Sequence, residues 1–142
     1  MEIRRMGLAD SEWVVAAAHL FDGAPVAAHL AKFLSEPNHH LLIAYVGDHP
    51  AGFVSGVEIS HPDKATEMLL YELAVDESHR RQGIGKALVN ELSHLARRLG
   101  CRGVWVLADH DNPAALATYR SLTGAGEERP VLFSWEFHLG SR

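Results

Sequence analysis

The sequence predicts a single α/β (α+β) domain with a mixed, mostly antiparallel sheet, one central parallel β–α–β unit and helices on both faces. Two apolar runs, at residues 41–46 and 51–59, are separated by turn residues and indicate an antiparallel hairpin. Residues 71–99 pass from an apolar strand through a basic turn into a strongly amphipathic helix. The run 104–108 that follows is apolar at every position, as expected of a parallel strand covered on both faces.

The first third of the chain predicts one strand and two helices. Residues 1–6 form the strand, and Asp10 or Ser11 caps a helix that ends near residues 22–23. Pro25 begins a second helix, which stops before Pro37.

Residues 67–75 are the third member of the antiparallel meander. Their period of two places Leu70, Glu72 and Ala74 on one face, so we expect Glu72 to point among apolar neighbours. The helix after the basic turn carries one apolar stripe, which comprises Ile84, Leu88, Leu92, Leu95 and Leu99.

The last third predicts one helix and one strand after the run 104–108. Asp111 or Asn112 caps the helix, and Pro113 occupies its first turn. Residues 131–139 alternate loosely and are expected to close the sheet, and the apolar run 131–135 is a candidate sheet edge that needs covering.

Composition limits the classes of function. A chain of 142 residues fits one domain spanning residues 1–142, with a formal net charge of -5 that argues against a general nucleic-acid binder. An acidic protein with a local basic patch suits an anionic cofactor beside a cationic substrate. No apolar run approaches the length of a membrane span, so we expect a cytoplasmic protein without a membrane partner. The single cysteine, Cys101, is expected to be a small buried hydrophobe rather than a nucleophile.

The basic turn at residues 80–86 favours anion binding. A helix N-terminus offers unpaired N–H groups and the positive end of the helix dipole, while Gly83 and Gly85 allow close approach and Arg80, Arg81 and Lys86 add charge. The alternative is a capped helix start with solvated arginines. The position of the basic turn between an apolar strand and an amphipathic helix favours the anion site.

Two motifs carry a resemblance to a known family. Arg80-Arg81-Gln82-Gly83-Ile84-Gly85 resembles the Q/R-x-x-G-x-G/A pyrophosphate motif of the GNAT superfamily of N-acetyltransferases, and residues 112–119 resemble its N-x-x-A-x-x-x-Y helix. Residues 71–75, 79–84 and 108–109 are similar to the small aminoglycoside 3-N-acetyltransferases. Those enzymes usually have aspartate where this chain has Glu72, and Leu122-Thr123-Gly124 departs from the Leu-Gly-Phe or Leu-Gly-Tyr of many members.

The resemblance implies an enzyme that uses acetyl-CoA to acetylate an aminoglycoside at the 3-amino group by direct attack in a ternary complex. Antibiotic resistance would follow, and a homodimer is expected. The acceptor stays open, because the cofactor motifs do not distinguish an aminoglycoside from another small amine or a protein amine. A non-catalytic acetyl-CoA binder is a further alternative.

The resemblance also assigns the cofactor contacts. The backbone of Leu73, Ala74 and Val75 would hold the acetyl and pantetheine portion, and Asn112 and Ala115 the pantetheine arm. The pyrophosphate would lie on the turn that comprises Arg80, Arg81, Gln82, Gly83, Ile84, Gly85 and Lys86. Tyr119 would also contact the cofactor and act as general acid to the sulfur, although helical spacing alone favours core packing for this residue.

Glu72 is the candidate general base, acting directly or through a water. Desolvation among apolar neighbours would raise the pKa of its carboxyl group and bring its basicity nearer to neutral pH. The alternative is a structural carboxylate paired with a neighbouring arginine.

Three polar residues after the parallel strand, Asp109, His110 and Asp111, are candidates with Glu72 for binding substrate ammonium groups, since such loops commonly form sites. Helix capping is an equal alternative for Asp111. No metal site is predicted, because His39, His40, His61, His79, His94 and His110 are spread over different turns and helices without a metal-ligand spacing.

Overall fold

The computed structural model describes residues 1–138 of the chain. Within them the strands are β1 (Glu2–Arg5), β2 (His39–Val46), β3 (His49–Ile59), β4 (Glu67–Val75) and β5 (Val104–Trp105). The helices are α1 (Ser11–Ala16), α2 (Ala27–Ser35), α3 (Ile84–Arg98) and α4 (Pro113–Arg120), with short 3₁₀ turns at Ala18–Leu20 and Glu77–His79. The strands form one sheet in the order β1-β2-β3-β4-β5, antiparallel except for the parallel pair β4 and β5. This confirms the predicted fold class.

Two apolar cores lie on opposite faces of the sheet. On one face α3 buries Ile84, Leu88 and Leu92 against Met68 and Leu70. On the other face the segment from α1 to α2 covers Leu41, Ile43, Tyr45 and Phe53. The predicted stripe of α3 is confirmed except at Leu99, which is 43% exposed because the helix ends at Arg98.

The prediction of which sheet face each β4 side chain occupies is wrong beyond Leu70. Ser55 pairs with Glu72 and Gly56 with Leu70, so Tyr71 is an extra residue on β4, a β-bulge. Leu70 therefore lies in the α3-side core, while Ala74 packs against the opposite core. Glu72 lines a cleft on that opposite side together with Phe53 and Leu41, and does not share a face with Leu70.

The two N-terminal helices are shorter than predicted. α1 ends at Ala16, because the Ala17 N–H donates to Val14 and the chain tightens into the 3₁₀ turn. α2 begins at Ala27, since its N-cap Val26 is extended, and Pro25 therefore precedes the helix. Asp10 occupies the N-cap of α1 without capping it, because its carboxylate accepts the Gly7 N–H at 2.7 Å.

The parallel pair lies at an edge of the sheet and not at its centre. β5 holds only two paired residues, and Trp105 and Leu107 are 40% and 50% exposed. Residues 131–138 form no strand, although a final strand over 131–139 was expected; Leu139 lies outside the described residues. Alternation specifies a strand only where a neighbouring edge accepts its hydrogen bonds. Among residues 1–138, no helix is long and apolar enough to cross a membrane.

Candidate active site

Two clefts meet at Glu72. The larger, of about 550 Å³, lies between the sheet and the segment from α1 to α2, and the smaller, of about 220 Å³, lies between β4 and the residues after β5. Phe53, Tyr71 and Glu72 line both clefts. A carboxylate is therefore shared between a large compartment and a narrow one, which suits a reaction between two bound molecules.

The smaller cleft arises because β4 and β5 diverge. Their pairing extends from Met68–Val104 to Leu69–Trp105, and farther along Leu73 and Ala74 face residues 106–108 across the cleft. Since β5 does not pair with residues 73–75, their backbone groups on this side are available to a ligand. An extended, amide-containing arm is able to bind there as an added strand does.

The basic turn lies at the start of α3. Gly83 is the N-cap with φ of +77°, and Arg81 also has a positive φ of 63°. Arg80, Arg81 and Lys86 are exposed, and none of them forms an ion pair with another residue of the region 1–138. Three unpaired cations therefore surround a helix N-terminus, a favourable arrangement for a pyrophosphate.

Glu72 has an elevated pKa. The residue as a whole is exposed, but the protein atoms around its carboxyl group partly desolvate it and raise its pKa, and the nearby carboxylate of Asp22 raises the pKa further. The predicted direction is confirmed, but the surroundings differ from those expected, because Leu70 lies on the other face. Across the part of the chain that the structure describes, no arginine pairs with Glu72, which removes the support for the structural alternative.

Tyr119 lies on α4 and lines the smaller cleft together with Glu72. The ring packs against the α3-side core, and burial raises the pKa of its hydroxyl group. A phenol that stays protonated at neutral pH is able to donate a proton. The expected core packing is therefore present, and the residue also lines the cleft, while its role as general acid stays a prediction.

The residues around the start of α4 divide into cleft-lining and exposed groups. Asn112 is the N-cap, with its Oδ1 accepting the Ala115 N–H at 3.1 Å, and both residues line the smaller cleft. Asp109 also lines it, and its Oδ1 accepts the Asp111 N–H at 2.9 Å. His110 and Asp111 are exposed and line neither cleft. Of the three predicted substrate residues in this loop, the structure therefore brings only Asp109 to Glu72.

Sequence reasoning missed several residues of the site. Asp22 lines the smaller cleft and acts on Glu72, but in the sequence it reads as part of a helix stop at Asp22-Gly23. Ser55 bonds the Glu72 backbone, and Tyr71 is the bulge residue. No local pattern marks either of these two roles.

Comparisons with known proteins show the same overall fold. An aminoglycoside acetyltransferase from an uncultured soil metagenomic sample, solved in complex with sisomicin, is 26% identical, with a TM-score of 0.90 over 96% of both chains. Aminoglycoside N-acetyltransferase AAC(6')-Iy, solved with CoA, has the same fold, with a TM-score of 0.77 at 22% identity over 94% of this chain and 93% of that one.

A sequence relative has a different kind of acceptor in its name. The [Ribosomal protein bS18]-alanine N-acetyltransferase of Escherichia coli strain K12 is 38% identical over 56 residues, which are 39% of this chain and 38% of that enzyme. The match thus spans well under half of that relative. Residues 6–124, most of the chain, match the Acetyltransferase (GNAT) family, and the protein belongs to that family.

Proposed function

We propose that this protein transfers the acetyl group of acetyl-CoA to an amino group of an aminoglycoside, the 3-amino group. The observation that carries the proposal is the position of Glu72, a carboxylate of raised pKa where two clefts meet. The smaller cleft, lined by residues 73–74 and α4, suits the thioester arm, and the exposed basic turn before α3 suits the pyrophosphate.

The charge around the site suits a polycationic acceptor. Asp22, Glu72 and Asp109 are exposed acidic residues that line the smaller cleft, and Glu72 also lines the larger cleft, which is left for the acceptor; the chain has a formal net charge of -5. Acidic side chains at the mouth of a cleft attract ammonium groups and raise their local concentration. The likeness to a sisomicin-bound acetyltransferase over nearly the whole chain supports an aminoglycoside.

The residues of the site supply each proton movement of a direct transfer. Acetyl-CoA supplies the activated acetyl group, and the backbone of residues 73–75 orients it. Glu72 accepts the proton that the attacking amine loses as its nitrogen bonds to the carbonyl carbon, directly or through a water. Tyr119 donates its proton to the sulfur as the carbon–sulfur bond breaks, so that the products are an amide and a thiol. No covalent enzyme intermediate is required.

A panel of acceptors tests this proposal. The full chain is mixed with acetyl-CoA and thiol release is measured with sisomicin, gentamicin, a small diamine and an alanine-terminated peptide, each at equal concentration. We expect turnover with the aminoglycosides, and NMR of the product should show the acetyl group on the 3-amino nitrogen.

The second candidate acceptor is another small amine or a protein amine, which the likeness to the ribosomal-protein enzyme favours. Turnover of the diamine or the peptide without turnover of any aminoglycoside would establish it and exclude the first proposal. Binding of acetyl-CoA without turnover of any acceptor would instead favour a non-catalytic binder.

We also propose a homodimer that covers the apolar segment at residues 131–137. Its large apolar side chains are between 74% and 78% exposed, and they are Val131, Leu132, Phe133, Trp135 and Phe137. Such a patch marks an interaction surface, and a second copy of the chain is the occupant we propose. Light scattering should give twice the chain mass, and Phe133→Asp with Trp135→Lys should give a monomer. A monomeric wild-type protein would exclude the dimer.

A further inference from the structure

Asp76, directly after β4, accepts hydrogen bonds from polar side chains of two segments of the chain. Its Oδ2 accepts hydrogen bonds from His49 Nε2 at 2.8 Å, Ser78 Oγ at 3.0 Å and His79 Nδ1 at 3.2 Å. The ring of His49 stacks on that of His79 at a centroid distance of 5.0 Å and packs in a tilted arrangement against that of His19 at 5.2 Å. Three imidazoles therefore lie near one carboxylate.

The ligand atoms of this cluster converge. One atom each from His19, His49 and Asp76 lie within 4.8 Å of one another. The side chains of His49 and Asp76 are 47% and 23% exposed, so an ion from solvent reaches them. None of the three residues lines either cleft of the candidate active site. The cluster is thus a separate feature of the surface.

The donor set suits a zinc-class ion. Neutral imidazole nitrogens and one carboxylate oxygen are the ligands that zinc(II) and related divalent ions take from proteins.

The spacing suits an ion as well as a proton. Two nitrogen or oxygen ligands of a tetrahedral zinc ion, each at about 2.0–2.2 Å, lie roughly 3.3 Å apart. The 2.8 Å between His49 Nε2 and Asp76 Oδ2 is close to that separation. An ion that replaces the shared proton therefore requires these two atoms to move apart by roughly 0.5 Å.

We propose that His19, His49 and Asp76 bind one divalent zinc-class ion. His19 lies in the turn between α1 and α2, His49 opens β3, and Asp76 begins the segment that leads to the basic turn. An ion held by all three therefore ties the base of that turn to two other parts of the domain. The site stabilises the fold near the basic turn and takes no part in proton transfer.

Zinc titration of the full chain tests the site. The protein must carry no histidine tag and is first treated with EDTA; zinc chloride alone is then the probe, in isothermal titration calorimetry. We expect one equivalent to bind. His49→Ala and Asp76→Asn should each weaken binding by about tenfold or more. His94→Ala is the matched control, because His94 is 63% exposed on α3 and lies outside the cluster.

Two further measurements separate this site from general binding by histidines. A saturating zinc concentration should raise the melting temperature of the wild-type and His94→Ala proteins by about 3 °C or more, since a ligand of the folded state stabilises it. The same zinc concentration should raise the melting temperature of His49→Ala clearly less, because weaker binding to the folded state gives less stabilisation. Circular dichroism checks that each variant is folded. Absence of saturable binding, or equal binding by wild type and folded His49→Ala, would overturn the proposal.

Discussion

Ser55 and Glu72 face each other across β3 and β4, and the backbone N–H of Glu72 donates to Ser55 Oγ at 3.2 Å. Directly beside this pair the register shifts, and Tyr71 is left as the extra residue of a bulge. A bulge redirects the side chains that follow it. The position of the candidate base between the two clefts therefore depends on one inserted residue.

Replacing that carboxylate should remove most of the activity. Glu72→Gln keeps the size of the side chain but removes the proton acceptor, so we expect kcat to fall about 100-fold or more. The KM for acetyl-CoA should change little. Glu67→Gln is the matched control on β4, because Glu67 bonds His61 at 2.8 Å and lines neither cleft. Steady-state kinetics measure kcat for both variants. Values within twofold of wild type for both would exclude Glu72 as the base.

The same substitution should change the pH dependence of stability. The folded state raises the pKa of Glu72 above the usual 4.5, so it binds this proton more tightly than the unfolded state does. The contribution of Glu72 to stability is therefore present below pH 4.5 and is lost as pH rises through the folded pKa. Urea unfolding should show Glu72→Gln gaining stability relative to wild type between pH 4 and pH 7.5. If the difference in unfolding free energy between Glu72→Gln and wild type is the same at pH 4 and at pH 7.5, the raised pKa is contradicted.

Tyr119→Phe should separate packing from proton donation. The phenyl ring keeps the contacts with the α3-side core, while loss of the hydroxyl group should lower kcat about 100-fold if it is the general acid. Tyr45→Phe is the control, because Tyr45 is 5% exposed and its hydroxyl has no hydrogen-bond partner among residues 1–138. An unchanged kcat for Tyr119→Phe would leave Tyr119 as a packing residue.

The two glycines of the basic turn should respond differently to alanine. Gly83 has a φ of +77°, so Gly83→Ala should destabilise the fold by about 1 kcal/mol. At Gly85 a methyl group meets Val75, Thr118 and Leu73 only at 3.6–3.8 Å, so Gly85→Ala should fold normally. If the pyrophosphate lies against this turn as proposed, Gly85→Ala should still raise the KM for acetyl-CoA, because the methyl group would obstruct its close approach to the backbone. Thermal unfolding measures the change in stability, and steady-state kinetics measure the KM. An unchanged KM for Gly85→Ala would exclude close approach of the pyrophosphate to the backbone at this position.

Gly52 should be required where β3 approaches β4 and α3. A Cβ there would lie 2.9 Å from the carbonyl oxygen of Ala74 and 3.2 Å from the side chains of Ile84 and Leu88. Gly52→Ala should therefore cost about 1–3 kcal/mol of unfolding free energy. Gly103→Ala is the control, because no atom in the described part of the chain lies within 4 Å of the added carbon. Equal stability of the two variants in urea would contradict the close approach.

Much of the architecture is encoded in neighbouring residues. β4 occupies residues 67–75 as predicted, α4 begins at Pro113 behind its Asn112 cap, and the apolar stripe of α3 holds over most of its length. Periodicity, capping and glycine-containing turns act between residues a few positions apart, so one sequence is enough to reveal them. The motifs of the turn and of α4 indicated the family for the same reason.

Other features depend on residues that are distant in the chain. The bulge at Tyr71 requires β3 as a partner, and the cleft beside Ala74 exists because β5 stops pairing after Trp105. Asp22 and Glu72 become neighbours only when the segment between α1 and α2 covers the sheet, and His19, His49 and Asp76 converge from three separate segments. Strand register and long-range packing set these positions, and no local pattern of residues encodes either of them.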